Sequence, residues 1–163
     1  MHGISLHTKN SWVGQTLDGL DILRDSIPDG CAIAHKMRED GRAADDVLLL
    51  AAADIIFAFA DYFQNNLEQS VDSFRRLSAW FSEHDLPEGV FLADTGLVIV
   101  YRKLGQVKIA SELSEQKLLP KLDLVPPRLL ILALNIVAIL CQERGQTLEA
   151  IRFFYRALDD ARK

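Results

Sequence analysis

The amino-acid sequence predicts an all-α protein built from stacked helical hairpins. Apolar residues recur every three or four positions through most of the chain, which is the period of an amphipathic helix. Long runs of alternating β-branched residues are missing, and glycine and proline lie mostly between the periodic segments. Turn residues recur at one fixed interval, at Asn65, Gly105 and Gly145. Because one hairpin cannot bury its own apolar face, hairpins at a fixed period indicate a helical solenoid.

The composition is that of a globular chain. Its 163 residues are enough for one domain, or a short array, with a substantial core. Apolar residues make up 49% and charged residues 25%, which argues against disorder. The net charge of −5 argues against a nucleic-acid partner.

The sequence predicts neither a membrane span nor secretion. The apolar runs 47–60 and 129–141 are shorter than the roughly 20 residues that a bilayer requires. Residues 1–14 lack the apolar region of a secretory signal. Cys31 and Cys141 belong to no CxxC pattern, so no disulfide framework is expected. We therefore expect a cytoplasmic protein without a membrane partner.

Residues 1–43 fit the repeat least well and are assigned to an N-terminal lead-in. Residues 1–14 show no periodicity and are predicted to be loosely ordered. A short helix is then predicted up to Ile27, with Pro28-Asp29-Gly30 as its stop. A second short helix is predicted at residues 31–39, ending near Gly41.

Residues 44–163 are predicted to form one compact domain of three helix pairs, at about 44–84, 87–119 and 127–163. In the first pair, a very apolar helix is followed by a turn at Asn65-Asn66 and by an amphipathic helix. In the second, Gly105 ends the first helix, and Pro120 interrupts the chain after the other.

The third pair is the most regular and resembles a tetratricopeptide (TPR) unit. It has small or bulky residues at the positions typical of that family: Ala138, Gly145, Ala150, Phe154, Ala157 and Leu158. The second pair keeps Tyr101, Gly105 and Ala110, but Ser114 and Lys117 replace an aromatic and a small residue.

The first pair departs further from the TPR pattern. It keeps Ser70 and Phe74, whereas Asp54 and Asp61 stand where bulky residues are usual. The TPR period is about 34 residues, so the wider spacing of the turns in this chain implies longer helices or loops. The resemblance implies a right-handed solenoid of about three helix pairs, preceded by one or two short helices.

In TPR arrays the first helix of each pair lines a concave groove. The resemblance therefore implies groove residues on the first helices, namely Tyr62, Phe63, Thr95, Ile99, Arg102, Lys103, Asn135, Ile139, Gln142 and Glu143. Aromatic residues beside a basic pair suit a peptide with acidic and apolar side chains. Alternatively, Phe63 belongs to the core and Arg102-Lys103 is a solvated helix end. The carboxylate clamp of chaperone-binding TPR proteins is not recognisable.

Few residues point to chemistry. The four histidines are scattered without HxxxH or HExxH spacing, and phosphate-binding and nucleophile motifs are missing, so neither a metal nor a cofactor is expected. Asp54 and Asp61, seven positions apart, suit acid–base work or cation binding; alternatively, they face solvent or bond a neighbouring helix. Asn135 lies in an apolar segment and is expected to be a buried amide, which either bonds an inter-helix backbone group or points into a groove.

The last helix is expected to leave apolar surface at the end of the stack. The candidate residues for association there are Ile151, Phe153, Tyr155 and Leu158. We expect either continuation of the repeat in a longer protein or a homodimer through the C-terminal helix pair.

The function expected is a non-catalytic protein- or peptide-binding, sensory or scaffold module. Bacterial signalling proteins with degenerate TPR arrays suggest the N-terminal part of a larger cytoplasmic protein. The alternatives are a stand-alone adaptor or chaperone, and a ligand-binding or enzymatic domain using Asp54, Asp61 or Asn135.

Overall fold

A computed structural model describes residues 6–162, with side chains from residue 12 onward, and every regular element in that range is helical. The eight α-helices are α1 (Leu6–Asp25), α2 (Ile27–Ala44), α3 (Val47–Phe63), α4 (Leu67–Glu83), α5 (Pro87–Lys103), α6 (Val107–Leu113), α7 (Pro127–Glu143) and α8 (Thr147–Ala161). The all-α prediction is confirmed. Within this range, no helix has the combination of length and apolar character needed to cross a membrane.

The helices follow one fixed period, which is half of the predicted hairpin period. From α2 onward, the α-helices begin at Ile27, Val47, Leu67, Pro87, Val107, Pro127 and Thr147. The backbone turns left-handed at five positions in the same phase, with φ between 53° and 75°: Asp45, Asn65, Asp85, Gly105 and Gly145. Each predicted hairpin therefore consists of two helix-plus-turn units, and the turns at Asn65, Gly105 and Gly145 are confirmed.

The five turns share one hydrogen-bonding pattern. After each left-handed residue, the next N–H donates to the carbonyl five positions earlier; Asn66 N lies 2.8 Å from Asp61 O, and Gln146 N lies 2.8 Å from Cys141 O. This Schellman arrangement satisfies helix-end carbonyls and reverses the chain in a short loop. The repeat is thus present in the backbone as well as in the pattern of residue types.

The N-terminal helices are long, so the expectation of short ones is wrong. α1 has 20 residues and α2 has 18. The helix begins at Leu6, which overturns the expected loose lead-in over the described part of residues 1–14; residues 1–5 lie outside that part. Pro28 does not only stop a helix, because it occupies the first turn of α2, where no N–H donor is required.

Gly30 permits close helix packing. A Cβ at this position would lie 2.5 Å from Leu23 Cα on α1. Small, buried residues recur at the same phase of the later hairpins, at Ser70, Ala110 and Ala150. The pair α1–α2 therefore has a small residue, Gly30, at the position where the three predicted pairs also have one.

The segment after α6 differs from the predicted helix at 107–119. A π-helix (Ser114–Leu118) and a 3₁₀-helix (Leu119–Leu124) follow α6 directly. Pro120 lies in the first turn of the 3₁₀-helix, and its missing N–H prevents regular α-helical bonding there. The backbone at Val125 is extended, whereas the five residues at the same phase of the other repeats are left-handed.

The chain divides into two compact units, Met1–Leu77 and Ser78–Lys163. In the first, α1, α2 and α3 contact one another, and the start of α4 packs on α3, where Ser70 Oγ donates to Ala58 O at 2.7 Å. In the second, α5 contacts α6 and α7, α6 contacts α7, and α7 contacts α8. The predicted division into residues 1–43 and 44–163 stays a prediction.

Candidate interaction surfaces

An ion pair joins the C-terminal ends of α5 and α7. Arg102 donates to Glu143 Oε1 from Nε at 2.8 Å and from Nη2 at 2.7 Å. Both side chains are about one-third exposed, at 32% and 34%. The structure therefore brings together two residues that the TPR resemblance assigns to the groove.

Apart from Thr95, the groove candidates on α5 and α7 are either the two ion-paired residues or lie beside them on the same surface. Lys103, Asn135 and Gln142 are exposed, and Ile99 and Ile139 are half-buried. We call the set the α5–α7 surface: Ile99, Arg102, Lys103, Asn135, Ile139, Gln142 and Glu143. The expectation that Asn135 is buried is wrong.

Thr95 is the groove candidate that does not face outward. It is fully buried, and its hydroxyl donates to Phe91 O of its own helix at 2.8 Å. In the first unit, the ring of Tyr62 lies edge-on to that of Phe63 at 5.1 Å, and Phe63 is exposed. These two aromatic residues form a patch at the end of α3.

The carboxylate of Asp54 is paired with a neighbouring helix. Arg38 on α2 donates to Asp54 Oδ1, and its guanidinium lies 4.3 Å from the centre of the Phe57 ring. Asp61 is half-buried. Among the described residues, no group of three or more histidine, cysteine or acidic side chains is placed to hold a metal ion.

Asp94 is a buried acid that sequence reasoning missed. The Ser78 hydroxyl donates to Asp94 Oδ1 at 2.8 Å, while the buried Oδ2 has no hydrogen-bond partner among the described residues. Burial raises the pKa of Asp94, and the Ser78 hydrogen bond and the charges of Lys117 and Lys121 partly oppose that rise. A charged carboxylate is therefore disfavoured here relative to water.

Asp94 occupies the repeat position of Asp54 in the next hairpin. Each accepts a hydrogen bond from the residue 16 positions before it, Arg38 in one case and Ser78 in the other. In the third copy the two equivalent residues are Leu118 and Leu134, and both are fully buried. A comparison of residues one hairpin period apart could have identified Asp94.

The outer side of α8 carries exposed apolar residues. They form one face, which we call the α8 apolar face: Leu148, Ile151, Phe154, Tyr155 and Leu158. It contains three of the four predicted end-face residues, together with two that were not predicted to associate, Leu148 and Phe154. Phe153 instead packs inward against Val137, Cys141 and Ala150.

A cavity of about 330 Å³ lies between α7, α8 and the segment after α5. Its lining includes Ser111, Cys141 and Phe153, and the ion pair from Arg144 to Glu115, 2.6 Å long, lies at its edge. Burial raises the pKa of the Cys141 thiol. Since the thiolate is the nucleophilic form, this shift disfavours a nucleophilic role for Cys141.

Comparison of the chain with known protein families, with curated proteins and with solved structures finds no match. The repeat geometry and the two exposed surfaces therefore carry the functional proposal.

Proposed function

We propose that the chain is a non-catalytic protein-interaction module of TPR-like helical hairpins, stacked as a right-handed solenoid. Helix starts at one fixed interval from α2 to α8, with the same turn at five of the six junctions between these helices, carry this proposal. The contacts of each unit, in which a helix meets the next helix and the next but one, are those of stacked hairpins. We assign the module to the sensory or scaffold part of a larger cytoplasmic, bacterial-type signalling protein.

Within the second unit, the α5–α7 surface is the proposed peptide site. Helices of 17 residues give adjacent ridges about 25 Å long. Ile99 and Ile139 offer apolar contacts, and the exposed amides of Asn135 and Gln142 suit hydrogen bonds to a peptide backbone. Lys103, which is exposed, adds a positive charge to this surface.

The partner is therefore a peptide segment with apolar side chains and an acidic one. Peptides selected from a random library on the immobilised protein supply the probe, and fluorescence anisotropy measures their Kd. Ile139→Asp and Lys103→Glu should each weaken binding at least about tenfold, whereas Lys108→Glu, on an exposed part of α6, should leave it unchanged. Circular dichroism checks that the variants fold. Equal affinity in all four proteins would refute this site.

A stand-alone adaptor or chaperone is the second candidate. The α8 apolar face favours it, because exposed apolar patches bind partly folded chains. A chaperone would suppress thermal aggregation of a model client, and Tyr155→Asp would abolish that effect. An enzyme based on Asp54 or Asn135 has less support, since Arg38 engages Asp54 and Asn135 is exposed.

A further inference from the structure

The second helices of two hairpins, α4 and α8, differ in how far one apolar face is exposed. On α4, Val71 and Phe74 are buried, at 6% and 0% exposure. At the equivalent positions of α8, Ile151 and Phe154 are 44% and 39% exposed. α8 therefore has the apolar sector that α4 also has, but on α8 these residues are exposed.

The α8 apolar face is also wider than the equivalent face of the other second helices. On α4 its outer edge carries Glu68 and Arg75, both exposed. The matching residues that follow Gln106 are Lys108 and Glu115, which are exposed as well. On α8 these two positions are Leu148 and Tyr155. The α8 apolar face therefore offers an occupant a wider apolar contact than the equivalent faces of α4 and α6 would.

Two opposite charges border the outer edge of the α8 apolar face. Arg152 follows Leu148 by four positions, and Asp159 follows Tyr155 by four, so both lie on the same side of the helix. Both are exposed, and neither side chain makes a hydrogen bond or ion pair with the described residues. By contrast, Arg156 is held by Asp123 at 2.5 Å.

This charge order is self-complementary under a two-fold axis. Arg152 and Asp159 are seven positions, or about 10 Å, apart along the helix. When a second α8 runs antiparallel, Arg152 of each helix faces Asp159 of the other. A parallel pairing would instead place Arg152 against Arg152. Isologous interfaces require this reciprocity, in which residue i meets j and j meets i.

We propose that α8 pairs antiparallel with α8 of a second copy of this chain. Tyr155 lies near the two-fold axis, Ile151 packs against Leu158 of the other copy, and two reciprocal Arg152–Asp159 pairs flank the apolar contact. One helix pair buries less than the roughly 1,600 Å² of a standard interface, so we expect a weak, reversible dimer. This interface shares no residue with the α5–α7 surface, so the failure of either proposal leaves the other one unaffected.

Sedimentation velocity from about 5 to 500 µM tests the pairing in the whole chain. The weight-average sedimentation coefficient of the wild type should rise with concentration from the monomer value toward that of a dimer. Tyr155→Asp should stay monomeric, and Lys108→Glu should behave like the wild type. A wild type that is monomeric throughout, because the α8 apolar face binds another segment or protein, would overturn the proposal, as would a dimer that persists in Tyr155→Asp.

Charge exchange tests the antiparallel register. Arg152→Asp and Asp159→Arg should each weaken self-association at least about fivefold, because each places like charges opposite one another. An equimolar mixture of the two variants restores both opposite-charge pairs and should associate as strongly as the wild type. The double variant R152D/D159R should also recover. If neither recovers, the antiparallel pairing is wrong.

Discussion

α4 and α8 have the same phase in the repeat but different surroundings. On α4, Phe74 is fully buried, and its ring lies edge-on to Phe59 at 4.8 Å. On α8, Phe154 at the same position is substantially exposed. The repeat sequence decides which residues are apolar, but the neighbouring element decides whether their burial contributes to stability. An apolar position without a neighbouring helix is available for association instead.

The largest expected contrast is between Phe74→Ala and Phe154→Ala. Removing the fully buried ring should lower the free energy of unfolding by about 3–5 kcal/mol, because it leaves a cavity. Removing the exposed ring should cost less than about 1 kcal/mol in the monomer. Urea denaturation at low micromolar concentration measures both. Similar losses in the two variants would contradict the assigned difference in burial.

The second contrast tests how tightly α4 packs near its C-terminal end. A Cβ on Gly89 would lie 2.3 Å from the ring of Phe81, which is fully buried and cannot move aside. Gly89→Ala should therefore destabilise the protein by about 1–3 kcal/mol. Gly14→Ala is the matched control, since a Cβ there meets nothing within 4 Å. Gly14→Ala should stabilise helix α1 by about 0.5–1 kcal/mol. If Gly89→Ala is also stabilising, α4 and α5 are not in close contact at Phe81 and Gly89.

The third contrast concerns Ser78 on α4, whose equivalent on α8 is the exposed Leu158. Ser78 bonds Asp94, whose folded pKa is raised by burial. Because the folded pKa lies above the unfolded one, this group disfavours folding at neutral pH. That penalty is relieved as pH falls through the folded pKa toward the unfolded value of about 3.9.

Asp94→Asn should accordingly raise the free energy of unfolding at pH 7, on the order of 1 kcal/mol. Its advantage over the wild type should shrink as pH falls toward 4. Asp54→Asn should instead lower stability by up to about 1 kcal/mol, since it removes a partly exposed ion pair. Thermal melts across pH compare the three proteins. An advantage of Asp94→Asn that grows on acidification would show that Asp94 is not penalised when charged.

The smallest effect is expected for Leu148→Ser on α8. Leu148 is 75% exposed, so its loss should change the free energy of unfolding by no more than about 0.5 kcal/mol. The same substitution should reduce self-association at high concentration, because it removes apolar surface from the proposed interface. A change in stability at the monomer stage, measured by urea denaturation, would place Leu148 in the core instead.

Much of the helical architecture follows from sequence periodicity. The turns at Gly105 and Gly145 were predicted because glycine marks a left-handed helix end. The sequence also predicts helix boundaries near Asp45 and Asp85, but not their left-handed backbone, because aspartate adopts it less often than glycine and is common elsewhere. Gly30 was interpreted as a stop for a similar reason: the sequence does not show that Leu23 packs against it.

The interaction surfaces were less predictable. Phe153 and Phe154 are adjacent, yet one packs inward and the other is exposed, because neighbours in a helix point about 100° apart. Which one faces the core depends on the rotation of α8 against α7. Likewise, Thr95 and Asn135 occupy equivalent positions, but only Asn135 is exposed. Tertiary packing sets these rotations, and periodicity alone leaves them open.

Hydroxyl-radical footprinting at about 5 µM tests most directly whether α8 exposes the face that α4 buries. The oxidation rates of Phe74 and Phe154 are measured by mass spectrometry and normalised to those of the unfolded protein. We predict that Phe154 is oxidised at least several times faster than Phe74. Equal normalised oxidation rates would contradict the difference in solvent exposure between Phe74 on α4 and Phe154 on α8.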